Sequence, residues 1–207
     1  SAADAAKLVL LDAAGVMLGA SGLAEEVRPF VRMAAAMGAG PCTIAGTNQR
    51  ASLPLAALAN GALAHALDYE DAFDKAPGHP NASLVPALIA LAQGAGPVDG
   101  RRFLTALAVG GDLSCRMGLA LRRPMEAGNW YPPPMLAAYG AAAGAASLLG
   151  LNAAQVRDAL SMTLCQAVMP GEIKYSAGTV LRAVREAFPA QAAVQSALLA
   201  REGVAGF

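Results

Sequence analysis

An all-α domain of about eight helices is the fold class this sequence predicts, and three observations predict it. The chain of 207 residues is 56% hydrophobic with Ala and Gly dominant, yet only 5% aromatic and with three isoleucines. Ala is the best helix former, whereas strands draw on the β-branched and aromatic residues that are scarce here. Helix punctuation recurs along the chain, with Asp99 and Asn152 placed as N-caps and Gly94, Gly150 and Gly203 placed as stops. No period of about 20 to 50 residues signals a repeat architecture.

Taken in order, the first helix is expected near Ala3 to Leu18 and the second near Leu23 to Met37, followed by a Gly/Thr/Pro loop from Gly38 to Asn48. A third, from about Ala51 to Leu67 or slightly beyond, carries His65 into an acidic cluster. A fourth starts around Ser83, with Pro86 in its first turn, where a missing N–H does no harm, and closes at Gly94 and Gly96. Asp99 caps a fifth reaching about Leu121, and Pro124 to Pro134 is irregular and holds the only tryptophan. The sixth contains "YGAAAGAAS", whose Gly140 and Gly144 share one face and admit a close neighbour. Asn152 with Gln155 forms a capping box for a seventh. The last runs from about Val180 to Arg201, leaving 73–82, 124–134 and 170–178 as non-helical segments.

Composition excludes several function classes. Lys plus Arg number 15 against 15 Asp plus Glu, so the net charge is zero, and no basic stripe points to nucleic acid. The charge-free run from Asn129 to Val156 is long enough for a membrane span, but it opens on three prolines, is mostly alanine and breaks at Gly150, so it reads as a buried core helix. The first residues, with Asp4 and Lys7, do not resemble a signal peptide. Cys42, Cys115 and Cys165 lie in apolar surroundings without CxxC spacing and read as small buried hydrophobes of a reducing, cytoplasmic compartment. Two histidines and isolated cysteines offer no ligand pairs at zinc spacing, so no metal is expected.

The stretch that bears chemistry is "ANGALAHALDYEDAFDKAPGHPNAS". It sets Asp68, Glu70, Asp71 and Asp74 where a helix should end, although the dipole disfavours acids there by a few tenths of a kcal/mol each. If the helix persists, Asp68 and Asp71 share a face beneath His65, and crowding raises the proton affinity of the acids. The alternative is that they are solvated or cap the next turn. His79, ahead of the fourth helix, is placed to be held neutral and to accept a proton, although His-Pro is also an ordinary turn element. "EDAFD" raises the rival of a magnesium-diphosphate site, but that needs a second acidic motif, which residues 150–207 lack. Near the end, Lys174 lies in a Gly-flanked loop beside Tyr175, and Arg182 opens the last helix with a fork suited to carboxylates. Arg185 and Arg201 read as a solvated basic face.

In order and spacing, "NGALAHALDYEDAF" followed by "GHPNASLVPALIALA" resembles the signature of the MmgE/PrpD family. The likeness continues through "GGDLSCRMGLAL", "YPPPMLAAYGAAAGAASLLGLNAAQVRDALSM" and "AAVQSALLAREGVAGF", covering nearly the whole chain. Members of that family include 2-methylcitrate dehydratase, cis-aconitate decarboxylase and iminodisuccinate epimerase. The resemblance implies a helical domain followed by a lid domain, a homodimer, and cofactor-independent proton transfer next to a carboxylate of a small polycarboxylate. By motif position Asp68 and His79 match the family's active-site aspartate and histidine, and Lys174 joins them as a candidate catalytic residue. Arg182, Tyr131, Asp71 and His65 are the candidate substrate-binding residues. Three positions depart from the family pattern: Ala72 replaces a Thr or Ser, Tyr131 a His, and Arg182 a Lys. Relatives are about twice as long, so the 207 residues are expected to be a helical-domain portion that is inactive alone. A non-catalytic scaffold that binds a polycarboxylate or a protein is the rival from another class.

Overall fold

The computed structural model describes every residue from Ser1 to Phe207. Nine α-helices and one short hairpin follow each other as α1 (Ala2–Leu23), α2 (Arg28–Ala36), β1 (Cys42–Thr43), β2 (Arg50–Ala51), α3 (Leu53–His65), α4 (Pro80–Gly94), α5 (Gly100–Ala120), α6 (Pro132–Leu149), α7 (Ala153–Leu164), α8 (Leu181–Val184) and α9 (Ala187–Arg201). Three N-termini are fixed by side chains. Ser1 and Asp4 form a capping box for α1, Asp99 accepts from the Arg102 N–H for α5, and Asn152 and Gln155 cap α7 reciprocally.

The core lies between α3, α4, α6 and α9, with α5 packed across α6 and α1 against α3 and α5. Leu63, Leu84, Leu88, Leu91 and Ile44 are fully buried among alanines, and α4 and α6 are apolar almost all round, as interior helices must be. Small residues set the helix spacing. A Cβ on Gly140 would lie 2.5 Å from the Gly110 carbonyl oxygen, and one on Gly144 would lie 2.9 Å from that of Ala106, so α5 and α6 meet backbone to backbone. The expected close approach at Gly140 and Gly144 is therefore present, and the charge-free run is the buried helix α6. By length and apolarity α1 is the one helix that matches a membrane span.

Several boundaries differ from the sequence expectation. Gly19 and Gly22 do not stop α1, whose Ser21 hydroxyl bonds back to the Leu18 carbonyl, so it runs on to Leu23, and the next helix waits for Pro29 in its first turn. The 38–48 loop is followed by β2, which pairs antiparallel with β1, Cys42 opposite Ala51. α4 begins at Pro80 rather than Ser83, since proline needs no N–H partner in a first turn; Pro86 consequently sits in the helix interior. The expected last helix is two. Pro189 has no N–H to bond the Arg185 carbonyl, so the chain turns at Arg185–Glu186 between α8 and α9. Of the cysteines only Cys42 is buried; Cys115 is half-buried and Cys165 exposed.

Candidate active site

The site is built where α3 ends and α4 begins. In α3, Asn60 accepts from the Ala45 N–H at 2.9 Å and donates to the Thr43 carbonyl at 3.0 Å, tying the helix to the hairpin. Gly61 is next to it, and a Cβ there would stand 2.6 Å from the Glu186 carbonyl oxygen, so glycine is what lets the α8–α9 turn reach α3. The helix stops at His65. The expectation that Asp68 and Asp71 share its face is therefore corrected: Asp68 sits at φ 52° in the left-handed region, its N–H bonded to the His65 carbonyl at 2.8 Å. That reversal turns the chain back beneath the helix end and buries Glu70. Asn81, in the first turn of α4, then pins the loop by donating to Asp71 at 2.7 Å.

Glu70 is the centre of the resulting constellation. Its Oε1 is hydrogen-bonded to His65 Nδ1 and lies 3.2 Å from His79 Nδ1. The two imidazole rings are 5.7 Å apart, centre to centre. Glu70 and His65 side chains are sealed, whereas His79 is 25% exposed and Asp68 51%, so the open rim is formed by His79 and Asp68 and the floor by the other two. His65 Nε2, Glu70 Oε2 and His79 Nδ1 have no hydrogen-bond partner, so Glu70 is bonded to His65 and only close to His79. His65 Nε2 does lie 3.8 Å from Asp68 Oδ1.

Burial decides the charge of this floor. It pushes the Glu70 carboxyl up to about 7, with Asp68 adding to the rise; the backbone N–H of Glu70, His79 and Arg185 oppose it. It pushes the His65 imidazole down to about 4, helped by Arg185 and opposed by Glu186 and Asp68. Burial thus biases a proton shared by the pair toward the carboxyl, from which it is donated to His65 Nδ1. Asp71 is also raised by burial, against the bond from Asn81.

The α8–α9 turn supplies the opposing charges. Arg182 lies on the rim with Nη1 3.6 Å from Asp68 Oδ2. Arg185, expected on a solvated face, is fully buried, because the turn enforced by Pro189 aims it inward. Its guanidinium stands 5.1 Å above the Tyr131 ring, and its Nε is 3.3 Å from Glu186 Oε1. Glu186 is sealed, its other oxygen accepting from Ser83 Oγ, and burial raises its proton affinity. Lys174 reaches the same Tyr131 ring at 5.5 Å.

The structure thus gathers Asp68, His65, His79 and Arg182 at one place and sets Tyr131 and Lys174 beside it through Arg185. Asp71 faces Asn81 rather than the rim. Sequence reasoning missed Glu70 as the centre and Arg185–Glu186 as interior charges. Pro189 was the available signal for the latter, and Glu70 had none beyond its place in the acidic run. His65, Asp68 and Glu70 also bring ligand atoms within 4.8 Å of one another, a spacing a divalent cation can use and one that sequence spacing does not reveal. Arg182 and Arg185 place positive charge against that same cluster, which favours an anion at the rim over a cation.

Comparison with known proteins shows which family the chain is related to. The model of the MmgE/PrpD N-terminal domain matches residues 1–207. A cis-aconitate decarboxylase-like protein, oryM, of Aspergillus oryzae (strain ATCC 42149 / RIB 40) is 34% identical over 174 residues, covering 81% of this chain and 36% of that protein. The cis-aconitate decarboxylase of Homo sapiens is 29% identical over 158 residues, covering 73% of this chain and 31% of that one. That of Aspergillus terreus is 30% identical over 172 residues, covering 79% and 34%. The chain spans about a third of the length of these curated relatives. By the match along its whole length, the chain belongs to the MmgE/PrpD family and comprises its N-terminal domain.

Proposed function

We propose that this domain carries the proton-transfer half of a cofactor-independent lyase acting on a small polycarboxylate. The observation that supports it most is Glu70, bonded to one imidazole and 3.2 Å from a second, at the foot of a rim that holds Asp68 and Arg182. A lyase-like function at the level of the family is supported by its cis-aconitate decarboxylase relatives. Arg182 and Lys174 receive substrate carboxylates, the former by exchanging its contact with Asp68. The Arg182 guanidinium is no proton carrier near neutral pH, so Arg182 binds and orients. His79, the most accessible of the proton-carrying pair of imidazoles, exchanges a proton with the carbon next to a carboxylate. Glu70 then passes or holds the compensating proton behind it, and Tyr131 walls the pocket. In a dehydration the carbon loses its proton to the base and the neighbouring hydroxyl leaves as water after taking one. In a decarboxylation the C–CO₂ bond breaks and the carbanion left behind takes a proton. Both need a carboxyl or imidazole that changes state near neutrality.

We further infer that a lid domain, encoded in a longer polypeptide, closes over this rim, excludes water and completes the site, and that the active species is a cytoplasmic homodimer. The test is proton NMR in D₂O of that longer polypeptide and of the 207-residue chain with citrate, 2-methylcitrate, cis-aconitate and iminodisuccinate. Deuterium entry or a new product with the longer protein alone is the expected result. If neither protein exchanges a proton with any of the acids, the reading fails, and the departures at Ala72, Tyr131 and Arg182 mark a binding scaffold instead.

A further inference from the structure

Arg185 and Glu186 are the least economical residues in the fold. Both are fully buried, in a two-residue turn between α8 and α9, where apolar side chains of similar volume would fill the same space without desolvating two charges. Yet the surroundings are shaped to hold them. Gly61 opens α3 to the Glu186 carbonyl, Ser83 donates to the Glu186 carboxylate, and the Arg182 carbonyl accepts from Arg185 Nη1 at 3.2 Å. The guanidinium is thereby fixed over the face of Tyr131, which is itself buried, and its charge acts on both Glu70 and His65.

We propose that the Arg185–Glu186 pair is a positioning device for the proton-transfer centre: Glu186 and Ser83 anchor the guanidinium, and the guanidinium fixes the Tyr131 ring and the electrostatic setting of Glu70 and His65. Neither residue touches substrate. This inference rests on the proton-transfer reading of the site, and its first test is chosen to be independent of turnover. His65 is faced by Arg185 and Glu186 from the turn, Arg182 from α8, Glu70 and Asp68 from the loop after α3, and His79 ahead of α4. Arg185 and Glu186 act on it in opposite senses.

The experiment is an imidazole NMR titration of the 207-residue chain, comparing the parent with Arg185→Met and Glu186→Gln. The expected result is opposite shifts: the His65 titration moves to higher pH in Arg185→Met and to lower pH in Glu186→Gln, with the Tyr131 ring signals broadened in the former. Kinetics of the longer polypeptide follow. Arg185→Met lowers kcat about 10²-fold, as misplacement of a catalytic group does. KM stays within about threefold, the pattern of an interaction made in the transition state. Arg185→Lys, which keeps the charge, restores the titration though not all of kcat. Should Arg185→Met fail to fold, Glu186→Gln and Arg185→Lys still carry the test. Unmoved His65 titrations in the folded variants would overturn the proposal and leave the pair structural. Normal shifts with no turnover in the parent would instead overturn the lyase reading alone.

Discussion

The α5–α6 crossing and the α3–α4 junction are both tightly packed, yet they are made of opposite materials. At the crossing, Gly110, Gly140 and Gly144 let two backbones touch, and alanines fill most of the space around them. At the junction, an aspartate holds a left-handed backbone, a buried carboxyl lies against two imidazoles, and His65 Nε2, Glu70 Oε2, His79 Nδ1, Arg185 Nε and Glu186 Oε1 lack partners. Propensity, pattern and packing agree in the first region and conflict in the second, and such conflict is tolerated in a fold chiefly where chemistry is done. Mutations should therefore separate the two regions: stability without chemistry at the crossing, chemistry or pH dependence at the junction.

The largest effect is expected at the crossing. Gly140→Val forces a branched side chain against the Gly110 carbonyl and lowers stability by about 3 kcal/mol or more, read from urea unfolding. Next comes the rim. His79→Ala in the longer polypeptide lowers turnover about 10²-fold, about 2.7 kcal/mol of barrier, with little loss of stability; near-normal turnover would remove His79 from the mechanism.

A third contrast lies in the sign of pH dependence. The unfolded His65 takes a proton near 6.5 but the folded one only near 4, so its contribution is lost as pH falls through that window. Glu70 behaves oppositely: folded it keeps its proton up to about 7, unfolded only to about 4.5, so its contribution is lost as pH rises through that window. The two offset each other in the parent, whose stability changes little between those limits on their account. Glu70→Gln unmasks the histidine, giving stability that rises with pH, and His65→Gln unmasks the carboxyl, giving stability that falls. Each slope approaches about 1.4 kcal/mol per pH unit, measured by urea unfolding across a pH series. Equal slopes in parent and variants would break the account of the pair. The smallest effect is at the loop anchor, where Asn81→Ala removes one bond to Asp71 and costs about 1 kcal/mol.

Much of the first region was legible in sequence and less of the second. The caps at Asp99 and Asn152 and the Gly140/Gly144 spacing depend on residues a few positions apart, so they can be read locally. The order of Asn60, Gly61, His65, Asp68 and His79 was legible as a family pattern, though the jobs of Asn60 and Gly61 depend on Thr43, Ala45 and Glu186, which are distant in sequence. Glu70 stayed hidden because a helix extended past His65 would have pointed it elsewhere; the reversal at Asp68 decides its burial. Arg185 looked like surface because a continuous helix was assumed, whereas Pro189 ends that continuity and turns the guanidinium inward.

The central claim is that Glu70 keeps a proton near neutrality between two imidazoles, and a carboxyl ¹³C NMR titration of the 207-residue chain tests it most directly. The expected result is one glutamate signal, absent in Glu70→Gln, that titrates near pH 7 rather than near the ordinary glutamate value of 4.5. A Glu70 signal that titrates near 4.5 would contradict the claim, and with it the assignment of this junction as a proton-transfer centre.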